Sequence, residues 1–246
     1  MATVKDVYIY IDFFAPFNTQ AEWDNSGLLV GDVNAEVTKI LFALDCTDDV
    51  INQAIKTGAN LIITHHPVIF KPISTVTQDS LAYKLVKNNI SIICAHTNYD
   101  KAVDGVNDLL CKEIGYNEFI KFGEFLNIIE LDKPILSNEL LNRVKKALGG
   151  IVRFNSVSGN IDRIAVCSGS GCDFLSVAKE SGCNALLTGD ASHHDFLDAD
   201  EMGILLIAAG HFETENLAVL PLMKKIKNEF GVPCEIAQQK TPINTI

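Results

Sequence analysis

Six histidines punctuate this chain: His65, His66, His96, His193, His194 and His211. Each lies at or just after the end of an apolar run. Imidazole ligates transition metals and exchanges protons near neutral pH, so histidines gathered at strand ends suggest a site more than a solvated surface. The pair His65-His66 closes Leu61-Ile62-Ile63-Thr64, an apolar, β-branched run that reads as a buried strand. Neighbours along a strand point to opposite faces, so two adjacent rings serve one site only where the pleat ends. Pro67 marks that end, disfavouring helical geometry at His66 and supplying no amide donor. Open α/β sheets bind their ligands at this carboxyl edge.

Two further patterns carry the same chemistry. His96-Thr97-Asn98-Tyr99-Asp100 and His211-Phe212-Glu213-Thr214-Glu215 each place an imidazole at a strand end and a carboxylate four residues on, in or near a first helical turn. With the histidine pair, this makes a mixed His/Asp/Glu donor set that suits zinc, iron, manganese, cobalt or nickel better than calcium or magnesium. A carboxylate shared between two ions is a recurring way to activate water. The plainer account has His96 and His211 as core-edge histidines and Asp100 and Glu215 as helix caps. Two copies at equivalent places, together with the His65-His66 pair, favour the metal.

The elements that must position these groups alternate strand with helix. Apolar spacing predicts a helix over Val4 to Phe14, and Trp23 to Asp32 reads as a turn feeding a short strand. A strand at Ile40 to Leu44, a helix at Thr47 to Thr57 stopped by Gly58, and a strand at Asn60 to Thr64 make a β-α-β unit. A looser loop follows, then a helix near Ser80 to Lys87, a strand at Ile90 to Ala95 and a helix near Val106 to Ile114. The second half repeats this order. Lys39 set against Arg163 aligns Ile40 with Ile164, Asp49 with Asp173, Gly58 with Gly182 and Asn60 with Asn184 without a gap. In that register His65 and His66 face Gly189 and Asp190; after a shorter connection His96 pairs with His211 and Asp100 with Glu215. The expectation is an α/β fold of two similar modules related by internal duplication, with mainly parallel sheets flanked by helices. The first module spans 1–125 and the second 126–246, with a linker between about Gly123 and Leu136. Cys234 to Ala237 adds an edge strand, able to pack on the first module.

Composition narrows the classes. The 246 residues are 48% hydrophobic and 21% charged, ordinary for a globular chain, and no apolar run approaches a membrane span. No signal-peptide core precedes the first helix, so a cytoplasmic protein is expected. Acidic residues outnumber basic ones 31 to 20, a formal charge of −11 that opposes nucleic-acid binding and that bound cations would offset. Seven cysteines without a Cys-x-x-Cys pair fit reduced thiols rather than a cysteine zinc site. Cys167-Ser168-Gly169-Ser170-Gly171 reads as a tight strand-to-helix turn more readily than as a phosphate loop. His193-His194-Asp195 reads at least as readily as a solvated loop as it does as added ligands or catalytic acid-base groups. No nucleophile elbow is visible, and no catalytic residue is assigned.

Taken in order, Trp23-Asp24-Asn25-Ser26-Gly27, Ile63-Thr64-His65-His66-Pro67, Ala95 to Asp100 with Gly105-Val106-Asn107-Asp108, Thr188-Gly189-Asp190 and Gly210 to Glu215 resemble the Nif-three-like (YbgI-like) family, the GTP cyclohydrolase 1 type 2 homologues. The resemblance spans nearly the whole chain, without the inserted domain of long members. It implies two divalent metal ions per chain on His65, His66, Asp100, His211 and Glu215, with Glu215 the bridge. His96, Asp190 and His193 would stand behind them. It also implies a homohexameric toroid, a trimer of dimers with the metals facing an internal cavity. The activity implied is hydrolysis of a purine nucleotide such as GTP by a metal-activated water; the alternative is a ring that handles metal or binds partners without catalysis. The chain departs from the pattern at Asp190, where Glu is common, and at Tyr99, where Leu is common.

Overall fold

Thr3 starts the first helix, α1 (Val4–Phe14), through a reciprocal cap: its hydroxyl accepts from Asp6 N and the Asp6 carboxylate accepts from Thr3 N. The computed structural model describes residues 1–244; residues 245 and 246, the end of the expected second module, lie outside it. After α1 come β1 (Gly27–Val30), β2 (Ile40–Ala43), α2 (Asp48–Thr57), β3 (Leu61–Thr64), α3 (Leu81–Lys87), β4 (Ser91–Cys94) and α4 (Thr97–Asp100). The chain then builds α5 (Val106–Glu113), β5 (Ile120–Phe122), β6 (Leu126–Leu136), α6 (Ser137–Leu148), β7 (Arg153–Phe154), β8 (Asn160–Val166), α7 (Leu175–Glu180), β9 (Ala185–Thr188), α8 (His193–Met202), β10 (Leu205–Ala208) and α9 (His211–Glu215). Last are α10 (Val219–Phe230) and β11 (Cys234–Ile236).

Two compact units result: Met1–Val103 with the segment from Ala218 onward, and Asp104–Leu217. The break falls earlier than the 125/126 boundary expected from sequence, because α5 contacts β6 and β8 and so belongs with the second sheet. In the first unit β11 runs parallel to β2. The first sheet has the order β1-β4-β3-β2-β11 and the second β5-β6-β8-β9-β10-β7. Mixed α/β architecture with helix-flanked sheets is thus as expected. Each sheet has a parallel centre, but antiparallel strands flank the second on both sides: β6 pairs antiparallel with β8, and β7 with β10.

The repeat read from sequence holds at the level of register. Ile40 faces Leu61, and at the equivalent places Ile164 faces Ala185. Asn60 Oδ1 accepts from Thr38 N and Asn184 Oδ1 from Asp162 N, so the same asparagine closes the same corner in each copy. Gly58 ends α2 at φ 75°, left-handed geometry that glycine adopts without penalty. The antiparallel neighbours β1 and β7 also correspond. The far side differs: β11 alone in one unit, β6 followed by β5 in the other.

Covered faces explain why the strands read as unbroken apolar runs. In the second sheet Ile164 and Val166 lie in one cluster with Leu140 and Val144, while Ala165 lies in another with Leu175 and Ala178. In the first, Leu41 and Ile62 pack with Val50, Ala54 and Leu85. Truncating such a residue, Ile62→Ala for example, costs about 2–5 kcal/mol. No helix among the described residues is long and apolar enough to cross a membrane.

All seven cysteines are free thiols. Burial, with carboxylates nearby, pushes the Cys46 and Cys172 thiols up to about 12, and at Cys111 burial, aided by Asp108, outweighs the Asn127 hydrogen bond to the same effect. Only the thiolate reacts readily. Iodoacetamide at pH 8 should therefore label these three negligibly in the native protein, and all seven after unfolding; mass spectrometry of the adducts checks it.

Candidate metal centre

In the first unit the β2–β3 ladder runs just past its last strand residue: His65 N donates to Ala43 O at 3.3 Å and His66 N to Leu44 O at 2.9 Å. The backbone leaves the pleat there, and the two rings end 5.0 Å apart rather than on opposite faces. The next strand, β4, delivers His96, whose ring lies 5.1 Å from that of His65 and 5.5 Å from that of His66. Ring nitrogens of His65, His66 and His96 all fall within 4.8 Å of one another, the spacing at which one cation can be shared. One turn on, Asp100 N donates to His96 O, and Asp100 Oδ1 stands 3.4 Å from His65 Nε2.

The second unit repeats the device with fewer rings. At the end of β10, His211 opens α9 and its Nε2 lies 3.0 Å from Glu215 Oε2. Glu215 is 4% exposed. Its other oxygen abuts Gly169, in the turn after β8. That glycine has φ +59°, and a Cβ there would sit 2.1 Å from Glu215 Oε1 and 3.3 Å from His211 Nε2. The Cys167 to Gly171 segment is therefore more than a connection: Gly169 is the wall against which the Glu215 carboxylate rests. Gly169→Ala should displace that carboxylate and lower metal affinity about 10–100-fold, as loss of supporting contacts around a metal does. Equilibrium dialysis against a competing chelator reads this, with circular dichroism confirming the fold.

One feature unites the four imidazoles of the motifs. His66 Nδ1–H donates to Asp45 Oδ1, His96 Nδ1–H to Asp24 Oδ1 and His211 Nδ1–H to Asp190 Oδ2, each at 2.7 Å, and His65 Nδ1–H donates to Ala95 O at 2.9 Å. Carbonyls and carboxylates only accept, so each Nδ1 carries the hydrogen and each neutral ring has its lone pair on Nε2. This is the arrangement found behind metal-bound histidines, where the partner fixes tautomer and orientation and raises basicity. Asp190 is the partner of His211 in this set. Asp45 and Asp24 were not singled out, although Asp45 follows the end of β2 by the same strand-end logic that identified the histidines.

Charge is arranged to match. Burial of Asp24 works against its charge, but hydrogen bonds and the charge of His96 outweigh it and hold the carboxyl well below its usual range. At His211 burial again opposes the charged form; the Glu215 and Asp190 carboxylates prevail and raise the imidazolium to about 9. A cation arriving at His211 Nε2 below that pH must displace a proton.

The remaining candidates are not brought to these groups. His193 and His194 are exposed in the first turn of α8, ring against ring at 5.6 Å. Asp195 caps that helix with Ser192, so the solvated loop considered from sequence is a capping box. Beside Asp190 a cavity of about 430 Å³ is lined by Ser170, Cys172, Asp173, Asp190, Ser192 and Asp195 among others.

Comparison with known proteins points one way. The family model described as Duf34/NIF3 (NGG1p interacting factor 3) matches residues 2–242. A Clostridium acetobutylicum protein named GTP cyclohydrolase 1 type 2 homolog is 38% identical over 91% of this chain and 89% of its own length. A Helicobacter pylori protein named GTP cyclohydrolase 1 type 2 is 32% identical over the full length of both. Among solved structures, a hypothetical protein of Staphylococcus aureus superposes with a TM-score of 0.91 at 29% identity, covering 99% of each chain.

Proposed function

We propose that this chain, which belongs to the Duf34/NIF3 family, is a cytoplasmic hydrolase that holds two divalent cations and acts on a purine nucleotide such as GTP. His65, His66, Asp100, His211 and Glu215 would supply the ligands, with Glu215 shared between the ions; zinc, iron, manganese, cobalt and nickel all suit that donor set. The observation that supports this reading is the common orientation of the imidazoles, each with Nδ1 tied to an acceptor. When bound, the cations supply Lewis acidity and a water of lowered pKa. The protein's part is to orient the rings through Asp45, Asp190 and the Ala95 carbonyl, and to hold the Asp100 and Glu215 side chains buried. His96, fixed by Asp24, stands against the His65 and His66 rings and limits their movement.

The nucleotide comes from the names of the relatives. Incubating metal-loaded protein with GTP and following products by chromatography and mass spectrometry tests it. Turnover that a chelator stops and added metal restores supports the hydrolase; no metal-dependent turnover of GTP or related nucleotides ends it. The cavity beside Asp190 favours a second reading, metal handling without catalysis, because its lining carries three aspartates and no lysine or arginine and so suits a cation better than a triphosphate. Ligand variants that lose metal yet keep full cellular function would exclude that reading. In either case the proposed assembly is a hexameric ring, a trimer of dimers, and light scattering should give six chains per particle.

A further inference from the structure

Trp23 and Phe70 are 61% and 45% exposed, the kind of apolar surface a folded chain ordinarily covers or uses. They are not stray side chains on loose loops. Asn25 Nδ2 donates to Ile69 O at 2.6 Å, joining the turn that carries Trp23 to the segment that carries Phe70. Next to Trp23, the enclosed Asp24 carboxylate accepts from Asn25 N, Ser26 Oγ, Thr97 N, Thr97 Oγ1 and His96 Nδ1. The two rings stand 5.8 Å apart at 48°, and each presents itself near edge-on to His96, at 6.0 and 6.5 Å. Two exposed aromatic faces are therefore held in place directly beside the imidazole cluster, all within the first unit.

Phe70 also belongs to the stretch between β3 and α3, which begins at the His65-His66 pair and has no helix or strand of its own. Connections of that length without secondary structure are uncommon in compact domains and usually carry function. Rings pre-set by surrounding hydrogen bonds lose little entropy when a flat ligand stacks on them, and a π face accepts any planar base.

We infer that Trp23 and Phe70 form a stacking platform for the planar nitrogen heterocycle of the substrate, gripping the base rather than the phosphates and setting it beside the imidazoles. The inference rests on the reading of that cluster as part of a metal centre acting on a purine nucleotide. It assigns the base-binding surface and makes Trp23 and Phe70 specificity-determining residues.

Trp23 is the chain's one tryptophan, so its fluorescence reports the platform without a label. Metal-loaded protein is titrated with guanosine, which carries the base but no phosphate, and in parallel with ribose 5-phosphate. Saturable quenching by guanosine alone is expected. Phe70→Ala should raise the guanosine Kd about ten-fold or more, and Phe70→Tyr should restore it. Trp23→Ala, followed by calorimetry, should weaken guanosine to the same degree with bound metal unchanged. Guanosine that fails to quench, or a Kd that Phe70→Ala leaves unaltered, overturns the platform. So does a change of oligomeric state in both alanine variants with nucleoside affinity intact, which would make the surface a contact between copies of the chain. GTP turnover is measured on the same samples. Turnover without guanosine binding sinks the platform and spares the hydrolase; guanosine binding without turnover does the reverse.

Discussion

Glu215→Gln should strip the protein of both cations together, whereas His65→Ala should leave one in place. The Glu215 side chain is almost fully buried, with one carboxylate oxygen against His211 Nε2 and the other against Gly169, where even a methyl group would not fit. Positive charge beside it comes from the His211 imidazolium until a cation displaces that proton. In the proposed centre that charge is two cations, whose mutual repulsion at the spacing of dinuclear sites costs several kcal/mol even at an effective dielectric of about 20. The bridging carboxylate offsets the repulsion; a neutral amide of the same shape does not. Removing the His65 ring takes away a single donor, so the expected loss is confined to one ion. Elemental analysis of dialysed variants reads the difference. A Glu215→Gln protein that keeps two ions per chain as tightly as the parent would show that the carboxylate is not shared.

Asp24→Ala should be the most damaging single substitution around the first unit's histidines, and its effect should survive removal of metal. Five donors converge on that carboxylate, from Asn25, Ser26, Thr97 twice and His96. Truncation leaves them unpaired in an enclosed space, a loss of about 3–5 kcal/mol, or roughly 10 °C in Tm for a chain of this size. The pH dependence has a definite sign. The folded-state pKa is depressed below the ordinary value of 3.8, so the carboxylate stabilises the fold fully above that value and loses its contribution as pH falls through the lower, folded-state pKa. Parent and variant should therefore differ most at neutral pH and converge in strong acid. Scanning calorimetry of chelator-treated protein across that range checks both statements.

Much of this was legible because local chemistry and position coincide in the central strands. Leu61 to Ile63 is apolar at every place because these residues are fully buried, and Pro67 announces where the run stops. The duplication was visible for the same reason: Gly58 with Gly182 and Asn60 with Asn184 meet identical backbone demands, a left-handed helix stop and a corner that an asparagine side chain closes. Strand β6 was hidden. Leu126 to Ile129 are buried and the pattern then dissolves at Asp132-Lys133-Pro134, where a register shift between Glu130 and Ile135 lets the strand continue across residues that look like a linker. The histidines and their carboxylates were readable from spacing, but Asp45 was not, because a lone aspartate after a strand carries no signal until the neighbouring strand places His66 against it.

The order of segments has a bearing on biosynthesis. Residues Asp104–Leu217 form an uninterrupted stretch that can fold as soon as it leaves the ribosome, whereas the earlier unit waits for α10 and β11. Until then β2 has an open edge and the apolar residues of α10, Val219, Leu222 and Ile226, are missing from the core they complete. His65, His66 and Asp100 are thus synthesised first but rest on a sheet finished last, so a nascent chain passes through a stage in which its later half is native and its earlier half is not. Chaperone dependence, and any nick or truncation between Ala218 and Ile236, should accordingly fall on the older half of the polypeptide while sparing the inserted one.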